Sequence, residues 1–222
     1  LQPQSKTRCV SFSGIDGAGK STQIDALRER FEAHGMRVQC IRFWDEIAQL
    51  TSLRENTGHV VFKGDKGIGS PSAPINRRDK NVQSFPMTVV RTLIYFLDAF
   101  ATRRAMNKAI RSGAGLVIFD RYIYDELANL NLNNAVIRAY VRMIMAIVPR
   151  PDISYLLDAD PVKARARKPE YPLEFLHTNR EAYHRLNRLI GGITVIPALD
   201  IQQVKSAVIA QAWETFSFQT VP

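Results

Sequence analysis

Cysteine is scarce in this chain of 222 residues: there are two, Cys9 and Cys40, each inside an apolar run. That excludes a disulfide framework. With only four scattered histidines, His34, His59, His177 and His184, no metal-ligand spacing arises either. The expectation is two buried thiols. No run of about 18 apolar residues occurs, so nothing reads as a membrane span. The opening LQPQSKTR has no hydrophobic signal core, and a cytoplasmic protein is expected. There is no repeat and no low-complexity segment. Acidic residues are the minority, Asp+Glu 21 against Lys+Arg 30, a formal charge of +9. Such a balance favours an anionic partner: nucleic acid, an acidic membrane surface or phosphorylated small molecules. The excess is local. Residues 1–111 carry a net +8, and the stretch 77–111 alone holds eight bases (Arg77 through Arg111) against Asp79 and Asp98.

Apolar residues make up 45% of the chain, an ordinary globular share that allows a real core. Short apolar runs at 8–13, 37–43, 115–119, 153–157 and 193–197 read as strands. Helical spacing follows each, at 20–34, 46–56 and 87–111, 123–147, 173–189 and 201–216. Asp160-Pro161 reads as a helix start, Asp as N-cap and Pro in the first turn. This alternation predicts an α/β fold, a parallel sheet with helices on both faces. No domain boundary is visible. The expectation is one domain over 1–222, with an irregular, glycine- and proline-rich insertion at about 57–86.

Three signals carry chemistry. The first is Gly14-Ile15-Asp16-Gly17-Ala18-Gly19-Lys20-Ser21, which fits G-x-x-x-x-G-K-[ST] between a predicted strand and a predicted helix. Glycines let successive N–H groups point at phosphate oxygens, and the helix N-terminus adds its positive end. Gly14, Gly17, Ala18, Gly19, Lys20, Ser21 and Thr22 are the expected ATP contacts. Lys20 would reach the β- and γ-phosphates and Ser21 would offer its hydroxyl to Mg²⁺. The second signal is Asp120-Arg121-Tyr122 after the third strand. Ligands sit beyond the carboxyl ends of such strands, so Asp120 is a candidate for Mg²⁺ or its water, and Arg121 for a second phosphate. The third is Arg165-Ala166-Arg167-Lys168 before a proline-bounded break. It reads as a lid at about 165–172, whose arginines would stabilise charge on the transferring phosphoryl group.

Together, FSGIDGAGKSTQ at 12–23, RFWDE at 42–46, the Asp-Arg-Tyr at 120–122, LLDADP at 156–161, the arginine-bearing lid and LEFLHTNREAYHRL at 173–186 resemble the thymidylate kinase family of nucleoside monophosphate kinases. The resemblance implies a P-loop fold with five parallel strands in the order 2-3-1-4-5, often dimeric through helices. It implies ATP and Mg²⁺. It gives Asp16 the place beside the transferring phosphoryl group, with Arg42 and Arg121 on the acceptor phosphate. Phe43, Tyr95, Tyr122 and Asp125 complete the expected acceptor side, Tyr95 as the stacking aromatic. Arg165 and Arg167 supply from the lid the arginine that the phosphate loop lacks.

The chain also departs from that pattern. The position that reads the base in LLFxAxR falls on Ala99, with Arg103 one turn on as a substitute. Asp125 stands where a small hydroxyl residue is usual, and a carboxylate there would face the sugar or an adjacent group. The implied activity is phosphoryl transfer from ATP to thymidylate or a related deoxynucleotide. Two alternatives stay open. One is a kinase for an unphosphorylated acceptor such as a deoxynucleoside, with Asp45, Glu46 or Asp120 as base. The other is a nucleotide-binding regulatory protein. Nucleic acid is not the expected partner, since neither a recognition helix nor stacking aromatics are apparent. The basic stretch 77–111 is expected on the acceptor side, as an approach surface.

Overall fold

A computed structural model describes residues 7–48 and 85–216. Its five strands are β1 (Arg8–Ser13), β2 (Val38–Arg42), β3 (Leu116–Asp120), β4 (Ile153–Leu157) and β5 (Thr194–Ile196). They form one sheet in the order β2-β3-β1-β4-β5, and every pairing is parallel. The helices are α1 (Lys20–Glu32), α2 (Phe85–Arg111), α3 (Ile123–Leu127), α4 (Ala135–Ile147), α5 (Pro161–Arg167), α6 (Leu173–Ile190) and α7 (Ile201–Thr215).

The strands are short and nearly unbroken in hydrophobicity because both faces of the sheet are covered. Side chains alternate between two cores with the period of two that the pleat imposes. Leu116 and Ile118 of β3 join Phe12, Tyr155 and Leu27 under α1 and α7. Val117 and Phe119 of the same strand join the larger core beneath α2, α3, α4 and α6. The second face also receives Ser13 and Ser154, both buried, and Ser13 recurs below.

Several boundaries differ from the sequence expectation. The second strand ends at Arg42, where a π-helical turn, Phe43–Ile47, begins; of the helix expected at 46–56, residues 49–56 lie outside the described residues. Residues 49–84, and with them most of the expected insertion, lie outside the described residues. The long helix starts at Phe85, two residues earlier than expected, with Pro86 in its first turn where a missing N–H costs nothing. The predicted helix over 123–147 is two helices. Asn134 restarts the chain as an N-cap, its side chain accepting from the N–H groups of Val136 and Ile137. That local option, together with Asn131 accepting from Asn133 N–H, breaks the continuous helix.

Candidate active site

Parallel register puts the functional ends of the strands at one edge. Arg42 lies opposite Asp120 across β2–β3, and Phe12 lies opposite Asp120 across β1–β3. The chain leaving β1 turns at once into the glycine loop and then α1. Gly19 is the N-cap of α1, with φ of 88°, and no side chain caps that end. The first N–H groups of the helix are therefore available to an anion. Gly17 has φ of 80°, and a Cβ there would lie 2.2 Å from the carbonyl oxygen of Ala164 in α5. The loop and the lid helix are in backbone contact through this one glycine. Ser21 and Thr22 are exposed beside it. A cleft next to the loop is lined by Ala18, Gly19, Thr22, Arg167, Pro197 and Leu199, between α1, α5 and the turn after β5.

Lys20 is buried, and its ammonium donates to the carbonyls of Gly14 at 2.8 Å and Ile15 at 3.0 Å. Burial first, and then the charge of Arg121, push its pKa down to about 7. Asp16, Asp125 and Asp120 pull the other way.

Arg121 has φ of 68°, the left-handed region that residues other than glycine enter at a cost of about 1–2 kcal/mol. Strain of that kind persists where surrounding contacts over-determine it, and it clusters at functional sites. Here its N–H donates to Phe12 O at 3.0 Å. Its guanidinium donates to Asp16 through Nη2 and to Asp125 through Nη1, the latter at 2.8 Å. Burial opposes the charge of Arg121, but Asp125 and then Asp16 more than offset this, and the group is held protonated. The structure thus brings Asp16, Lys20, Asp120 and Arg121 to one point beside the uncapped helix end.

The lid segment is α5 and its exit. Asp160 caps it, accepting from Val162 N–H at 2.8 Å and Lys163 N–H at 3.0 Å. Arg165 carries a buried Nε with no hydrogen-bond partner. Arg167 donates from Nε to Lys163 O, and its Nη1 approaches the place a Gly19 side chain would fill. Lys168 pairs with Glu170 at 3.4 Å. Arg42, at the tip of β2, is largely exposed, with Asp45 3.8 Å away and its N–H given to Glu46.

Other expected acceptor residues are packed in the core of this face, which also holds Ile15 of the loop and Tyr171 after the lid helix. Phe43 is fully buried, edge-on to half-buried Trp44. Tyr122 is fully buried against Phe119 and Tyr124, and its hydroxyl donates to Pro149 O, ahead of β4 at the opposite edge of the sheet. Tyr95 and Ala99 lie in the same core as Phe43. Asp125, expected to face the sugar or an adjacent group, is buried. Its carboxylate is taken by Ser13, Arg121 and Tyr183. The reason is local: in the first turn of α3 it accepts the Tyr122 N–H as part of a capping box, which aims it back under the loop.

The C-terminal part of the basic stretch lies away from the expected acceptor side. Helix α2 leads through residues 112–115 into the amino end of β3, so its C-terminal half lies at the edge remote from the glycine loop. Arg103 donates to Ile147 O near the start of β4, which removes it as a base reader. Arg104, Lys108 and Arg111 are exposed, and cations in the last turn suit the helix dipole. Residues 77, 78 and 80 lie outside the described residues. Of the cysteines, Cys9 is buried and Cys40 only partly so. Both are free, and burial raises both thiol pKa values.

Sequence reasoning missed three participants. Tyr183 and Ser13 hold Asp125. Asp158, at the end of β4, is gripped by Arg180 at 2.5 and 2.6 Å and by His184 at 2.9 Å. The Arg180 fork ties α6 to the sheet directly behind the lid.

Among the described residues no group of three or more His, Cys, Asp or Glu is arranged to hold a metal. A magnesium ion carried on nucleotide phosphates needs fewer protein oxygens, and exposed Ser21 with half-buried Asp120 are of the right chemistry. No helix among the described residues is long and apolar enough to cross a membrane.

A glycine loop opening an uncapped helix, on a 2-3-1-4-5 parallel sheet with an arginine-bearing helix packed over it, defines a P-loop nucleotide kinase. Comparison with known proteins narrows the class. The chain is 30% identical over 182 residues to a probable thymidylate kinase of Pyrobaculum aerophilum, covering 78% of this chain and 80% of that one. It is 25% identical to a probable thymidylate kinase of Methanosphaera stadtmanae over 88% and 91% of the two chains, and 25% identical to one of Pyrococcus abyssi over 90% and 93%. No protein-family model matches the chain. It belongs to the thymidylate kinase family, with the transferase and nucleotide-binding character that goes with it.

Proposed function

We propose that this chain transfers the γ-phosphoryl group of ATP to the phosphate of thymidylate or a related deoxynucleoside monophosphate. The observation that carries the reading is Arg121. It is an arginine in a strained backbone, held by two carboxylates at the end of β3, next to a phosphate loop. A monophosphate acceptor brings a second phosphate into the site, and an arginine fixed there suits it as a charge-assisted partner.

In this reading the N–H groups of Gly17 to Thr22 cradle the ATP phosphates. Lys20 leaves the carbonyls of Gly14 and Ile15 for the β/γ-oxygens. Arg42 and Arg121 take the acceptor phosphate, and Asp16 shares Arg121 with it. The buried, unpartnered Nε of Arg165 is the group the lid has to offer to charge developing on the transferring oxygens. Arg167 closes the donor side beside Gly19. Magnesium, held by Ser21 and Asp120, would bridge phosphate oxygens and neutralise their charge. Asp45 pairs with Arg42 and Glu46 accepts the Arg42 N–H, which in this reading makes them supports of the acceptor-phosphate cation. The lid at 165–172 is part of a single domain.

A homodimer through helices belongs to the same reading. The outer face of α2 exposes Leu93, Phe96, Leu97 and Phe100 at helical spacing, an apolar stripe that a second copy would bury.

The test is coupled ADP release against a panel of nucleosides and nucleoside monophosphates. Turnover confined to monophosphates is expected. Turnover of nucleosides alone, or of nothing in the panel, overturns the reading.

A further inference from the structure

Asp125 has a side chain only 2% exposed, yet four donors converge on it. Arg121 Nη1 and the Tyr183 hydroxyl donate to Oδ1 at 2.8 and 2.7 Å. The Ser13 hydroxyl and the Tyr122 N–H donate to Oδ2 at 2.6 and 3.3 Å. A carboxylate offers about four lone-pair sites. This one is saturated from inside the protein and has nothing left for a sugar.

The four donors come from separate parts of the site. Ser13 is the last residue of β1, immediately before the glycine loop. Arg121 and Tyr122 follow β3. Tyr183 is on α6, beyond the lid, and is buried, with its hydroxyl also 3.5 Å from Gly14 O. Burial and then the neighbouring charge of Asp125 raise the Tyr183 pKa, so its hydroxyl keeps the proton it donates.

The charge balance points the same way. Arg121 and Lys20 are two cations in one buried cluster, faced by Asp16, Asp120 and Asp125. Without the Asp125 charge, Asp16 is the one ion-pair partner left to Arg121 among the described residues. The guanidinium would then settle on the carboxylate expected beside the transferring phosphoryl group.

We propose that Asp125 is a positioning residue: with Tyr183 and Ser13 it fixes the Arg121 guanidinium against the phosphate loop, and it ties α6, behind the lid, to the acceptor side. This rests on the reading that Arg121 meets the acceptor phosphate.

Two measurements on Asp125→Asn, Tyr183→Phe and Ser13→Ala test it, with Arg121→Lys for assignment. The first needs no substrate. Side-chain NMR of the free protein reads rotation of the Arg121 guanidinium. Resolved, slowly exchanging Nη signals are expected in the parent protein, and their loss in Asp125→Asn. Unchanged Arg121 signals in that variant overturn the proposal. The second is kinetic, with thymidylate and ATP. The KM for thymidylate should rise about tenfold or more in Asp125→Asn, the scale of a lost charge-assisted contact, while the KM for ATP stays within about twofold. An equal rise in both is what a merely structural role gives, and it contradicts the proposal. If Asp125→Asn does not fold, Tyr183→Phe, which keeps the packed ring, carries both measurements. If the parent protein phosphorylates no monophosphate, the proposed function fails while the NMR result still decides the positioning role.

Discussion

Gly17 of the phosphate loop lies directly beneath Ala164 of the lid helix, so close that a Cβ would sit 2.2 Å from the Ala164 carbonyl oxygen. The left-handed backbone at Gly17 and this contact impose the same demand. Gly17→Ala should therefore push α5 away from the loop and carry Arg165 and Arg167 with it. A shift of about 1 Å in such groups costs roughly 100-fold in rate. Steady-state kcat should fall by about that factor, and calorimetric ATP affinity should fall less. A variant with parental kcat would show that the contact does not matter.

Lys20 should couple nucleotide binding to protons. Its pKa of about 7 is set by burial and by Arg121, and bound phosphates favour the charged form. Binding ATP above pH 7 should then take up close to one proton. Calorimetry in buffers of different ionisation enthalpy measures this directly. Lys20→Ala should abolish both the uptake and phosphoryl transfer, with the fold intact by circular dichroism.

The lid arginines should act on turnover. Removing a group aimed at transition-state charge typically costs about 100- to 1,000-fold in kcat. The double variant Arg165→Ala, Arg167→Ala should fall in that range while ATP affinity changes modestly. Unchanged turnover removes the lid from the mechanism.

Asp158 should matter to stability with a definite pH sign. Burial opposes its charge, but hydrogen bonds from Arg180 and His184 overcome this and hold its pKa below the ordinary carboxylate value. A depressed pKa contributes stability above about pH 3.9, the unfolded value, and that contribution is lost as pH falls through the folded one. The Tm of Asp158→Asn should thus lie below that of the parent protein at neutral pH, and the gap should close under acid.

Sequence legibility was uneven for physical reasons. Strand–helix alternation, the glycine loop and Asp160 as a cap are local, because each is written in contiguous residues of fixed period. The split of 123–147 is only half legible: the Asn cluster at 129–134 reads as a polar break within one helical stretch, and that Asn134 starts a new helix shows only when its side chain is seen on Val136 and Ile137. Asp125 and Arg121 stand four apart, a spacing that lets side chains meet on a helix. Nothing in the sequence marks Tyr183, 58 residues on, as their partner. The place of Arg103 to Arg111 follows from topology alone: a helix feeding the amino end of β3 carries its last turns away from the loop.

The central claim is that a phosphoryl group passes to a nucleotide phosphate at Arg121. The most direct measurement follows γ-³²P-labelled ATP with thymidylate and other deoxynucleoside monophosphates, resolving products by anion exchange. Label in the β-position of a deoxynucleoside diphosphate, abolished by Lys20→Ala and strongly reduced by Arg121→Ala, is the predicted result. Label appearing only in inorganic phosphate, or staying in ATP with every monophosphate supplied, would contradict it.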